Sequence, residues 1–87
     1  MLKMDMALKD LLFLKDTIKT LENYITCTTY HDESVRIEIP DQFVNDFLLD
    51  WRSAYMRLGK GEHGSLSKTG ITLDRIYQES ILPALHK

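Results

Sequence analysis

Apolar residues at Met4, Ala7, Leu11, Leu14, Ile18, Leu21 and Ile25 follow one another at alternating three- and four-residue steps. A spacing near 3.5 residues puts one stripe down a single helix. Asp5 with Lys9, and Asp16 with Lys19, stand where opposite charges meet on the solvated side of that helix. The pattern predicts a helix with Asp5 near its N-cap, running to about Tyr24. Leu8, Leu12 and Phe13 fall off the stripe and widen the apolar surface beyond what one packing partner covers. Leu8, Leu11, Leu12, Leu14 and Ile18 are therefore the candidate contacts for a second copy or another protein. The competing reading makes the same stripe the core of its own chain.

Beyond Tyr24 the propensity changes to strand at Thr26, Cys27, Thr28, Thr29 and Tyr30. Val35, Arg36, Ile37, Glu38 and Ile39 alternate apolar with charged, the pattern of a strand with one face on a core and one in water. The polar residues between them make a turn, so a hairpin is expected with Tyr30 opposite Val35, Thr28 opposite Ile37 and Thr26 opposite Ile39. In that register Cys27 shares the face of Arg36 and Glu38. A lone two-stranded hairpin is marginal in water, so helices must cover it or a second hairpin must join it. Two copies meeting edge to edge would supply the second.

Pro40 ends the strand and its fixed φ suits a helix start. Val44, Phe47, Leu48, Trp51, Ala54, Tyr55 and Leu58 then trace a wide apolar face, with Asn45, Asp46, Asp50, Ser53 and Arg57 opposite. Gly59 and Gly61 stop this helix, and Gly59 to Gly70 reads as a mobile surface loop. Thr72 is the expected cap of a last helix through Ile76 and Tyr77, ending or kinking at Pro83, with Leu82 and Leu85 as a packing tail. The predicted fold is α+β: one small domain over residues 1–87, helix, β-hairpin, helix, loop, helix, with the helices packed on a short antiparallel sheet.

At 87 residues a core is only marginally stable alone, and oligomerisation often helps. One cysteine excludes an internal disulfide, and His31, His63 and His86 have no metal-ligand spacing. A cytoplasmic protein without cofactor or metal is expected, and no apolar run is long enough to span a bilayer. The net charge of −2 conceals an asymmetry, since residues 1–50 hold five basic against ten acidic side chains and residues 51–87 six against three. Such a dipole can steer a charged partner.

Little catalytic chemistry is legible. Gly59 and Gly64 are followed by Ser65 and Leu66 rather than the Gly-Lys-Ser/Thr ending of a phosphate-binding loop. Overlapping Ser-x-x-Lys and Lys-Thr-Gly strings at Ser65 to Gly70 belong, where they are functional, to separate parts of much larger folds. The histidines lack a nucleophile and an orienting carboxylate, and Cys27 lacks local positive charge to activate it. Arg52, Arg57, Lys60 and Lys68, interleaved with Trp51 and Tyr55, form a candidate nucleic-acid contact. Against it, the two aromatics sit at i and i+4 on the core face, and the pI is near 5.8. The sequence therefore reads as a non-enzymatic regulator, inhibitor or assembly component, a homodimer binding a protein partner. The alternative is a nucleic-acid-binding regulator using the basic patch.

Overall fold

A computed structural model of the chain describes residues 1–59 and 67–86. Strand β1 (Leu2–Ala7) leads into helix α1 (Leu8–Thr17) and the single turn α2 (Leu21–Tyr24). Strands β2 (Cys27–His31) and β3 (Ser34–Ile39) follow, then the long helix α3 (Asp41–Leu58). Helix α4 (Lys68–Ile76) continues through a π-helical turn (Tyr77–Ile81) into a last turn, α5 (Leu82–Leu85). The strands form an antiparallel sheet in the order β1-β3-β2. Helices pack against one face of it, which makes the chain the expected α+β fold.

The hairpin register is as read from the sequence: Tyr30 lies opposite Val35, Thr28 opposite Ile37, and Cys27 beside Glu38 on the uncovered face. Thr26, expected opposite Ile39, lies just before β2, and its N–H donates to the Glu38 carbonyl over 3.0 Å. Asp32, at φ 56°, supplies the left-handed residue that a tight hairpin turn needs.

The predicted first helix is corrected at both ends. Its opening residues are a strand, in which Leu2, Met4 and Met6 face the core while Met1, Lys3 and Asp5 face out. Asp5 lies within β1, with Ala7 at the N-cap position of α1, and it receives a paired hydrogen bond from Arg36 on β3, at 2.7 and 3.0 Å. The helix also breaks at Ile18, which adopts an extended conformation before α2 resumes. Thr17, Ile18 and Thr20 explain the break, because β-branched side chains weaken helix propensity and three fall within four residues.

Helix α3 begins after Pro40 as expected and buries Phe47, Trp51 and Ala54, with Val44, Leu48 and Tyr55 packed at the margin. Leu58, expected on that face, is 40% exposed. Ser67, rather than Thr72, caps α4: its hydroxyl accepts from the Gly70 N–H at 3.0 Å and donates to the Leu58 carbonyl at 2.7 Å. Lys68 to Gly70 thus belong to α4, and the rest of the expected loop, residues 60–66, lies outside the described residues. Pro83 neither ends nor sharply stops the helix. The π turn precedes it, with the Leu82 N–H reaching back to the Tyr77 carbonyl, so the missing proline donor falls at a new helix start.

One continuous core joins Met4 and Met6, Leu11 and Leu14, Val35 and Ile37, Phe47 and Trp51, and Leu73, Ile76 and Ile81. Asp10 is buried at its margin and holds Arg75 through two hydrogen bonds of 2.7 and 3.2 Å, tying α1 to α4.

Candidate functional site

The end of α3 and the first turn of α4 come into backbone contact at Gly59, the residue after α3, and Gly70. A Cβ on Gly70 would stand 2.3 Å from the Gly59 carbonyl oxygen and 2.8 Å from its Cα, so the backbones meet with no room for a side chain. Farther along, Trp51 of α3 and Tyr77 of the π turn face each other with ring centroids 6.1 Å apart and planes tilted by 34°. A pair of helices touching at glycine and separated by aromatic rings leaves an open groove. It measures about 450 Å³ and is lined by Leu48, Trp51, Arg52, Tyr55, Asp74 and Tyr77.

The groove is apolar and aromatic at its floor, with a cation on the α3 side and a carboxylate on the α4 side. Arg52 and Asp74 form no ion pair among the described residues, while Arg36 and Arg75 do. Leu49 and Met56 lie a little farther around α3, seven residues apart and hence nearly in line, and both are exposed. Ile71, three residues before Asp74, is exposed on α4.

A second cleft, of about 220 Å³, lies on the other side of α3 between Thr17, Lys19, Thr20, Asp50, Ser53 and Arg57. Asp50 accepts from the Thr20 hydroxyl at 2.6 Å and the Tyr24 hydroxyl at 2.5 Å. The Thr20 bond first, and then that of Tyr24, hold its carboxyl below the usual aspartate value. The bond to Asp50 pushes the Tyr24 phenol up. With every close partner supplied by the chain itself, this cluster fastens α2 to α3.

The candidate contacts on α1 divide. Leu11, Leu14 and Ile18 are buried within the chain, so they are core and cannot serve as a contact surface. Leu8 is half-buried and Leu12 is exposed; these alone of the five face outward. The basic patch divides too. Arg52 borders the aromatic groove and Arg57 the cleft around Asp50, because five residues turn a helix by about 140°. Lys68 is exposed at the start of α4, and Lys60 lies outside the described residues. Trp51 is buried, as its place on the core face implied, and the patch is not one surface.

Leu48, Asp74 and Tyr77 are the groove residues that sequence reasoning missed as a site. The signal on α3, aromatics at i and i+4, was legible; its complement on α4 was not, because the groove exists only between elements distant in sequence. Among the described residues no group of three or more His, Cys, Asp or Glu is placed to hold a metal ion, and no helix is long and apolar enough to cross a membrane. His63 lies outside the described residues. Comparison with protein-family models, with curated proteins and with solved structures found no match to this chain.

Proposed function

We propose that this chain is a non-enzymatic cytoplasmic protein that works by binding another protein, as a regulator, inhibitor or assembly component. The α3–α4 groove carries the reading. Open apolar floors lined by tryptophan and tyrosine, with a few charges at the rim, are what protein recognition uses: the aromatics give large contact area at low entropy cost and the charges fix orientation. Arg52 and Asp74 suit a segment that presents an apolar anchor between an acidic and a basic residue. The neighbouring exposed Leu49, Met56 and Ile71 extend the apolar surface past the groove itself.

Pull-down from native lysate, with and without nuclease, tests this when the wild-type bait is run beside Arg52→Glu and Tyr55→Ala baits of checked fold. A protein that survives nuclease with the wild type and is lost with both variants supports the groove. Nucleic acid as the retained partner, or retention equal across all baits, overturns it.

A further inference from the structure

The outer edge of the sheet is a separate surface, and it stands independently of the groove. Edge β1 is flanked by the π turn and α5, which pack along it. Among the described residues, edge β2 pairs only with β3. His31 and Ser34 are paired across a two-residue turn, and such a turn closes on a hydrogen-bonded pair. Alternation along an antiparallel ladder then directs the N–H and C=O groups of Thr28 and Tyr30 away from β3.

Natural edge strands are usually blunted by lysine, proline or an inward charge. Strand β2, Cys-Thr-Thr-Tyr-His, holds none of these and consists largely of strand-favouring residues. The helices also stop short of it. Tyr30 lies opposite the fully buried Val35, on the core side of the sheet, yet is 61% exposed. On α1, Asp10 turns one flank toward Arg75 of α4, and helix geometry places Leu8 and Leu12 on the opposite flank, where Leu12 is 57% exposed.

We propose that a second copy of this chain pairs its β2 with this β2, antiparallel, about a two-fold axis at Thr29. Thr28 then lies opposite Tyr30 of the partner subunit, so the outward N–H and C=O groups of both copies are satisfied reciprocally. The axis runs perpendicular to the sheet, which becomes six-stranded with both helical layers on one face. Leu8, Leu12 and Tyr30 of the two copies gather above the junction. Charge permits the pairing, because β2 has no carboxylate, lysine or arginine and His31 falls opposite Cys27 of the partner subunit. Two five-residue strands with these side chains bury on the order of 1,000 Å² in total, near the lower bound for a stable interface, which fits a weak dimer in exchange with monomer.

Sedimentation and light scattering up to about 500 μM test the association. Wild type should pass from monomer to dimer with a Kd of about 10–100 μM. Tyr30→Lys and Thr28→Pro should remain monomeric with wild-type circular dichroism, since the N–H lost at Thr28 faces away from β3. In a Cys27→Ser background, Thr29→Cys should form a disulfide-linked dimer on mild oxidation far faster than Thr28→Cys, because only the former brings two thiols together at the axis. A monomer throughout, or a dimer unaffected by Tyr30→Lys and Thr28→Pro, overturns the proposal. So does a dimer lost instead with Leu49→Asp, which assigns association to α3.

Discussion

At the scale of single residues, Gly70 shows context reversing an intrinsic preference. In an exposed helix, alanine in place of glycine is worth about 1 kcal/mol. Here the added carbon would meet the Gly59 carbonyl at 2.3 Å, and backbone cannot step aside as a side chain can. Gly70→Ala should therefore destabilise the fold by about 1–3 kcal/mol, read by urea unfolding. A gain in stability would mean that α3 and α4 can part freely. Asp50 makes a second residue-scale prediction. Its folded-state pKa is lowered, so its contribution is fully present above the unfolded value near 3.8 and is lost as pH falls through the folded value. Stability measured from pH 5 down to pH 2 should fall less steeply in Asp50→Asn than in wild type, while at pH 7 the variant is the less stable. Equal slopes would show that other carboxylates carry the acid limb.

Among the elements, β1 and the π turn were the least legible from sequence. Met4 satisfies both a period of 3.5, continuing through Ala7, Leu11 and Leu14, and a period-2 alternation through Leu2, Met4 and Met6. Only the pairing of Leu2 with Ile39 and Ala7 with Ser34 decides between them. The π turn has an energetic reason as well as a proline beside it. Ile76 and Ile81 are both fully buried, and residues five apart on an α-helix diverge by about 140°, whereas a π turn returns them to one face. Burying an isoleucine is worth about 1.5–3 kcal/mol, against about 1 kcal/mol for the hydrogen bond a regular helix could regain without proline. Pro83→Ala should therefore keep the turn, with unfolding free energy changed by less than about 1 kcal/mol. Backbone NOEs from Tyr77 to Leu82 would check it, and a regular α-helical pattern would make Pro83 the cause after all.

For the whole molecule, the C-terminal turn closes the core by packing along the first strand. Ala84 and Leu85 are packed against the core, and the segment they belong to flanks the β1 edge. A chain ending at Ile81 should lose about 2–4 kcal/mol and uncover the part of the β1 edge that α5 flanks, so thermal unfolding moves down and light scattering reports aggregation. An unchanged midpoint would show that the π turn alone protects that edge. What the sequence determined by itself was the β2–β3 hairpin with its register and the core face of α3. Those signals are local: a period of two around a polar turn, a proline that ends a strand and starts a helix, and apolar residues at helical spacing. Tertiary structure decided the rest, because each remaining feature depends on partners far apart in the chain. Residues 2–7 become a strand only beside β3, the seam of Leu11, Leu14 and Ile18 becomes core only when α1 packs on the sheet, and Trp51 meets Tyr77 only once Gly59 and Gly70 bring the end of α3 against α4.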